Sequence, residues 1–196
     1  MVISSKRVRV PKYVQYVEYI ESTGTQYIDT GFNPNSNTRV VMDAQHMSIN
    51  NGAEFYFGAR DESLVNGFAI RARTKTDLFT EYGSKYTYPS TDATKRLTID
   101  FNGATVKIGD VVVTHSAESF QFNYPLYLFA LDNAGSATVI TTALRFFSCQ
   151  IYDNGILIRD YWPCHDKAGV ACLYDNVSKT YAHNAGTGEF IAGGAV

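Results

Sequence analysis

The sequence predicts an all-β protein built as a two-sheet antiparallel β-sandwich, and three features support that prediction. Apolar and polar residues alternate in several short runs, which is typical of strands that bury one face. Asn-Gly dipeptides, which favour tight hairpin turns, separate some of these runs. The chain of 196 residues also contains 14 Tyr and 12 Phe, and aromatic side chains pack well on a pleated sheet. No segment shows the apolar period of an amphipathic helix.

Four runs alternate clearly enough to predict which residues face the core. The inward sets are Val40, Met42 and Ala44; Phe55, Phe57 and Ala59; Phe68, Ile70 and Ala72; and Leu97, Ile99 and Phe101. Because successive side chains of a strand point to opposite faces, their neighbours, such as Tyr56 and Arg71, are expected to face outward.

Two of the Asn-Gly dipeptides lie between paired runs and predict β-hairpins. Asn102-Gly103 separates "TIDF" from "ATVKI", and Asn154-Gly155 separates "SCQIYD" from "ILIRDYW". In a type I′ turn both central residues need a positive φ, which Asn and Gly adopt at low cost. Many short strands with frequent turns indicate a sandwich or a barrel.

The chain is long enough to form one domain with a sizeable core, and we assign residues 17–196 to it. Residues 1–16 carry basic side chains at positions 6, 7, 9 and 12 and are predicted to form an N-terminal arm or linker. A formal net charge of -2 argues against a nucleic-acid partner, which would require an excess of cations. No apolar run is long enough to span a bilayer, so no membrane partner is predicted.

The sequence predicts no catalytic activity. Hydrolysis of a glycoside needs two carboxylates that converge on one cleft. Glu54 stands alone in its run, and the adjacent Asp61 and Glu62 would point to opposite faces of a strand. No serine-nucleophile motif is present either.

The sequence also predicts no metal site and no cofactor. Cys164, His165 and Asp166 are consecutive, so their side chains diverge in an extended segment, and Cys172 lacks the paired partner of a zinc knuckle. With Cys149 the chain has three cysteines, an odd number without framework spacing, which favours reduced thiols.

Five segments resemble, in chain order, one family of domains. They are "EYIESTGTQYIDTGF", "RLTIDFNG", "PLYLFALDNAG", "CQIYDNGILIRDYWPC" and "GVACLYDNVSKTYAHNAGTGEF". The family comprises the concanavalin A-like, or laminin-G-like, jelly-roll domains of tail and other virion proteins of phages of gut bacteria, with related copies in surface proteins of those bacteria. The resemblance covers the chain from Tyr19 onward. It implies a jelly roll over residues 17–196 whose first and last strands lie close together.

The resemblance implies a non-catalytic recognition domain of a phage virion, associated with the tail, that binds host-surface carbohydrate. Its partners would be a host-surface glycan and other virion proteins, and the symmetry of virion appendages favours a homo-oligomer, with a trimer as one candidate. Two alternatives remain open. One is a structural virion protein that decorates or stabilises the capsid or tail through protein contacts. The other is an adhesin module of a bacterial surface protein, located at the cell surface or outside the cell.

Three segments supply the candidate carbohydrate-binding residues. "DLFTEYGSKYTYPSTD" contributes Tyr82, Tyr86 and Tyr88; "GFAIRAR" contributes Arg71 and Arg73; and "ALDNAGS" contributes Asp132 and Asn133. Aromatic faces stack on the C–H surfaces of sugars, and a tyrosine offers a large contact area at low entropy cost. The alternatives remain open that the tyrosines cap the sandwich or pack against a neighbouring subunit, and that the arginines are solvated sheet charges.

Calcium is the metal ion that Asp132 and Asn133 would suit. Laminin-G-like domains often hold calcium at a sheet rim, and Asp132 and Asn133 are oxygen donors of the kind that calcium binds. We favour a local turn for these two residues, because Asp and Asn hydrogen-bond their own backbone there.

Trp162, the only tryptophan, follows the second hairpin and is expected to cover the core at a strand end.

Overall fold

The computed structural model of the chain describes residues 14–49, 53–63, 65–139 and 143–196. Within these ranges the chain forms strands and turns but no helix, and therefore no helix that could cross a membrane. Residues 1–13, which make up most of the predicted arm, lie outside the described residues.

The described residues form nineteen β-strands. In chain order they are β1 (Gln15–Tyr16), β2 (Ile20–Ser22), β3 (Ile28–Asp29), β4 (Thr38–His46), β5 (Glu54–Arg60), β6 (Gly67–Ala72), β7 (Leu78–Gly83), β8 (Lys85–Thr87), β9 (Leu97–Asn102), β10 (Thr105–Ile108), β11 (Val111–Thr114), β12 (Tyr127–Leu128), β13 (Ala130–Asn133), β14 (Ser136–Val139), β15 (Leu144–Asp153), β16 (Ile156–His165), β17 (Ala171–Asp175), β18 (Thr180–Ala182) and β19 (Ile191–Ala192).

The strands form two sheets that pack against each other. The large sheet has eleven strands, eight of them in the order β11-β10-β9-β4-β15-β16-β17-β18, while β1 pairs with β16, β2 with β15, and β19 with β2. The small sheet has eight strands, six of them in the order β14-β13-β5-β6-β7-β8, while β12 pairs with β5 and β3 pairs with β12. Among the described strands, all pairs are antiparallel except β5 with β13. The predicted two-sheet antiparallel β-sandwich is therefore confirmed.

One apolar core fills the space between the two sheets. Three of the four predicted inward sets are confirmed, because alternate residues of β4, β6 and β9 are buried in that core. Aromatic rings join the sheets: the ring centroid of Phe68 in β6 lies 4.5 Å from that of Phe101 in β9, and Phe57 in β5 lies 6.2 Å from Phe101. Full burial of one such ring contributes about 1.5–3 kcal/mol to folding.

The fourth predicted set, in β5, is wrong at Phe55. Phe55 and Phe57 pair with consecutive residues of β6, so Tyr56 is an extra residue in the strand, a β-bulge. The bulge shifts the alternation by one residue. Tyr56 and Phe57 both lie in the main core, whereas Phe55 packs with Ala69 and Leu131 in a separate small cluster.

The two ends of the described chain meet in the large sheet. β19 pairs with β2, and Val17 forms an isolated bridge with Ala195. This confirms the expectation that the first and last strands lie close together. Gln15 and Tyr16, which the sequence assigned to the arm, form β1 and pair with β16 in the large sheet.

Both predicted hairpins form, but their turns differ. Asn154 and Gly155 join β15 to β16 with φ values of 49° and 81°, which are both positive as a type I′ turn requires. In the other hairpin Asn102 belongs to β9, so the turn consists of Gly103 and Ala104, and of these two residues Gly103 alone has a positive φ, 52°.

Substitution of Ile99 by alanine is expected to lower the free energy of unfolding by about 2–5 kcal/mol, because a fully buried side chain between the sheets is replaced by a cavity. The same substitution at Ile156, which is 69% exposed beside the β15–β16 turn, is expected to change it by less than about 0.5 kcal/mol. Urea unfolding monitored by fluorescence measures both values. Equal losses would contradict the position of the core.

Candidate functional site

Four of the predicted residues, Arg71, Arg73, Tyr86 and Tyr88, lie together on the outer face of the small sheet. Arg71 lies in β6 between the inward residues of that strand, and Arg73 follows the strand directly. Phe79 of β7 lies opposite Arg71 in the register, and its outward side chain forms the floor of the surface. We name the surface formed by Arg71, Arg73, Phe79, Tyr86 and Tyr88 the tyrosine face.

Phe79 supports the two exposed tyrosine rings. Tyr86 and Tyr88 are 61% and 52% exposed. The Tyr86 ring stacks on Phe79 with 5.7 Å between centroids and 27° between planes, and the Tyr88 centroid lies 5.3 Å from that of Phe79. The guanidinium carbon of Arg73 lies 4.9 Å from the Tyr88 centroid, while Arg73 also pairs with Asp77 at 3.2 Å. Phe79 therefore packs against one side of both tyrosine rings, and the rings remain exposed to solvent.

Tyr82, the third predicted tyrosine, does not lie on the tyrosine face. It is 4% exposed in the main core, where its hydroxyl donates a hydrogen bond to the Ser36 carbonyl at 2.8 Å. The reason is the tight turn, across which Tyr82 pairs with Lys85. Even-numbered residues of β7 therefore lie opposite odd-numbered residues of β8, so Tyr82 points inward while Tyr86 points outward.

Arg71 is the charged centre of the tyrosine face. Its guanidinium carbon lies 4.8 Å from the Phe79 centroid and 5.7 Å from the Phe55 centroid. Burial lowers the pKa of Arg71 from its usual value, but arginine remains protonated at neutral pH. Glu81 on the neighbouring strand is held by Arg60, whose guanidinium donates to both carboxylate oxygens at 2.6 and 2.7 Å.

Glu118 holds the turn that presents the tyrosines. Its carboxylate accepts hydrogen bonds from the Ser84 hydroxyl at 2.7 Å and the Ser84 N–H at 2.6 Å, and the Lys85 ammonium lies 3.0 Å away. These bonds, above all the one from the Ser84 hydroxyl, lower the pKa of Glu118 to about 2. Because β8 is the edge strand of the small sheet, this anchoring positions Tyr86 relative to the rest of the sandwich.

Asp132 and Asn133 lie outside the tyrosine face. They belong to β13, which is two strands from β6 and four strands from β8 in the small sheet, distances of roughly 10 and 19 Å at the usual strand spacing. Asp132 is fully buried, and its carboxylate accepts the Gly135 N–H at 2.6 Å within the β13–β14 turn. Burial raises the pKa of Asp132. The structure therefore does not bring these two residues into the predicted carbohydrate site.

A groove on the outer face of the large sheet is the second candidate surface. Its volume is about 760 Å³, and it is lined by Tyr16, Asp43, Arg96, Phe147, Trp162 and Asn176, among others. We name it the tryptophan groove. Trp162 is 43% exposed, and across the groove the guanidinium carbon of Arg96 lies 3.7 Å from the Phe147 centroid while Arg96 pairs with Asp43 at 2.6 Å. The groove combines aromatic surface with the ion pair of Arg96 and Asp43.

The prediction that Trp162 covers the core is wrong because of a β-bulge. The pairing of β15 with β16 skips Ile158, which is an extra residue in β16. Beyond the bulge the alternation is shifted, so Tyr161 lies in the core and Trp162 points outward. A second bulge, at Phe147 in β15, places that ring beside Trp162 in the groove. Unbroken alternation from the predicted hairpin gives the opposite orientation, so the sequence pattern alone did not identify this residue.

The side chains suited to nucleophilic or acid–base chemistry are dispersed. Burial raises the pKa of the Cys149 thiol, and Cys164 and Cys172 face each other with sulfurs 3.6 Å apart in a buried cross-strand pair. His46 packs on Tyr56, and burial lowers the pKa of His46 to about 3. In the described ranges, no three His, Cys, Asp or Glu side chains are grouped to hold a metal ion. The absence of catalysis and of a metal stays a prediction.

Comparison of the chain with protein-family models and with curated proteins found no match in either set. The resemblance to concanavalin A-like domains therefore depends on the five sequence segments quoted above, whereas the sandwich architecture is a property of the structure.

Replacement of Glu118 by glutamine is expected to lower the free energy of unfolding at pH 7 by on the order of 1 kcal/mol, the size of a partly exposed charge-assisted hydrogen bond. The folded state lowers the pKa of Glu118 from 4.5 to about 2. Its stabilising effect is therefore complete above pH 4.5 and is lost as the pH falls towards 2.

The difference in stability between wild type and the Glu118→Gln variant should accordingly shrink over this pH interval. Urea unfolding of both proteins at neutral pH and at several values below the usual glutamate pKa measures it. A difference that stays constant into the acid range would contradict the role of the charged carboxylate in the turn.

Proposed function

We propose that this protein is a non-catalytic recognition domain that binds carbohydrate through the tyrosine face. One observation carries the proposal: Tyr86 and Tyr88 project side by side from an edge strand, each more than half exposed, and both rest on the buried ring of Phe79. Contiguous apolar patches are uncommon on the surface of soluble proteins, and where they occur they often mark a binding surface. The arrangement of the two tyrosine rings here suits stacking on the apolar face of a sugar ring.

The proposed binding mechanism depends on the rigidity of the two tyrosine rings and on the charge of the two arginines. Phe79 and the Glu118-anchored turn hold the rings before a ligand arrives, so little side-chain entropy is lost on binding. Arg71 and Arg73 lie beside the rings and can donate hydrogen bonds to sugar hydroxyl or carboxylate oxygens. The surface is shallow, so affinity at one site would be weak.

We place this domain in a phage virion, associated with the tail, with a host-surface glycan as ligand and other virion proteins as partners. The resemblance of five sequence segments to virion jelly-roll domains supports this assignment, and a two-sheet sandwich is compatible with it. Several copies in a homo-oligomer, such as a trimer, would raise the weak affinity, because linked sites make later binding steps intramolecular.

A structural role in the virion is the second candidate function, and the same two rings favour it. Tyr86 and Tyr88 belong to or follow β8, whose outer edge has no strand partner among the described residues. An exposed aromatic patch beside an open sheet edge could be covered by a neighbouring subunit. In that case the tyrosines would be buried in an assembly and no sugar would bind.

Alanine substitution of Tyr86 or Tyr88 is expected to weaken glycan binding at least about tenfold, since each change removes one stacking ring worth roughly 1.4 kcal/mol. The assay is an array of gut-bacterial surface glycans followed by titration of each hit. Tyr152→Ala is the matched control, because Tyr152 also lies on an outer sheet face with an arginine 5.4 Å from its ring centroid, but on the large sheet.

Trp162→Ala separates the two candidate surfaces in the same assay. Loss of binding in this variant, with Tyr86→Ala unaffected, would move the carbohydrate site to the tryptophan groove. Silence of the wild type across the array, together with a defined oligomer that dissociates in the Tyr86→Ala variant, would support the structural role instead.

A further inference from the structure

Arg71 differs from the other described arginines in that no described carboxylate forms an ion pair with it. The structure describes seven arginines. Six of them pair with a carboxylate: Arg39 with Asp100, Arg60 with Glu81, Arg73 with Asp77, Arg96 with Asp43, Arg145 with Glu21 and Arg159 with Asp175. Arg71 forms no ion pair with any described residue, although its neighbours on the same sheet face are paired.

The apolar surroundings of Arg71 raise the free-energy cost of leaving its guanidinium charge without an ion pair. Its side chain is partly buried between the rings of Phe55 and Phe79, and its Nε is fully buried without a hydrogen-bond acceptor among the described residues. A guanidinium in such an apolar setting loses hydration, and Arg71 gains in return the attraction of the ring faces and of the nearby Glu81 carboxylate, which Arg60 already pairs. Native proteins satisfy most buried donors, so an unsatisfied charged donor beside two exposed aromatic rings indicates a ligand.

The charge balance of the surface points to an anion. The pair of Arg60 with Glu81 and the pair of Arg73 with Asp77 are each neutral, which leaves one uncompensated positive charge at Arg71. The planar guanidinium can donate two parallel hydrogen bonds to one carboxylate, and such charge-assisted bonds are strong in an environment that excludes water.

We infer that Arg71 binds the negatively charged oxyanion of an acidic glycan, such as the carboxylate of a uronic acid, while Tyr86 and Tyr88 stack on the sugar. This inference rests on the proposed carbohydrate-binding function and adds the class of ligand. Arg73 is not equivalent to Arg71, because Arg73 is exposed and Asp77 already neutralises it. The selectivity for an acidic sugar therefore depends on one residue.

The test uses oligosaccharides of matched length and linkage in three forms: neutral galactose oligomers, the corresponding galacturonate oligomers and sulfated galactose oligomers. Wild-type protein is titrated with each at low and at high salt. The galacturonate or the sulfated form is expected to bind at least about tenfold more tightly than the neutral form, and the preference should fall at high salt, because screening weakens the ion pair. The two acidic arms distinguish a carboxylate from a sulfate ligand.

Three variants assign the effect to Arg71. Arg71→Gln should abolish the preference for the acidic form, so that the neutral and the acidic oligomers bind with affinities within about threefold of each other. Arg71→Lys should keep part of the preference, because it retains the charge but not the planar fork. Arg73→Gln is the matched control and should keep the full preference. Because the Arg71 side chain packs on Phe79, thermal unfolding of each variant is measured alongside.

Equal binding of neutral and acidic oligomers by the wild type would overturn this inference and leave the proposed carbohydrate function standing. So would an Arg71→Gln variant that is folded and loses the neutral and the acidic ligand to the same extent, or keeps the full preference. Silence with all three forms and across the wider glycan array would overturn both the inference and the proposed function.

Discussion

The contact between the rings of Phe68 and Phe101, 4.5 Å apart at their centroids, is where the small sheet meets the large one. Neither sheet could be stable alone, since each exposes one continuous apolar face that must be covered. The buried faces of β4, β6 and β9 are therefore fixed by the requirement that they meet across the core. Residues at odd steps from these inward positions point to the outer face of their sheet, and this constraint decides which side chains are available for binding.

Three β-bulges change which side chains face outward at the two candidate surfaces. Bulges at Tyr56, Phe147 and Ile158 each insert one residue and reverse the alternation beyond it. The bulge in β5 moves Phe55 outward to the neighbourhood of Arg71, and the two in the large sheet bring Phe147 and Trp162 together in the tryptophan groove. An extra residue in a strand thus moves an aromatic side chain from the inner face of its sheet to the outer face.

The two candidate surfaces differ in their electrostatics more than in their aromatic content. In the tryptophan groove the charge of Arg96 is neutralised by Asp43, and Trp162 donates its indole N–H to Asp160 at 3.1 Å. On the tyrosine face the rings of Phe55 and Phe79 flank Arg71, which pairs with no carboxylate among the described residues. An uncompensated charge in an apolar setting is a stronger indication of a ligand than a concave shape, because its cost persists until a ligand of opposite charge binds.

The sequence by itself determined the fold class, the inward faces of β4, β6 and β9, and the hairpin at Asn154 and Gly155, because each depends on local periodicity or turn chemistry. It also selected Tyr86, Tyr88 and the two arginines as candidates. Tertiary structure decided that Tyr82 is buried and that Trp162 is exposed. It also decided that Asp132 lies in β13, four strands from β8 in the small sheet. The physical reason is that turn length, bulge position and strand order follow from pairing between distant segments, and a one-residue shift in that pairing sends a side chain to the other face.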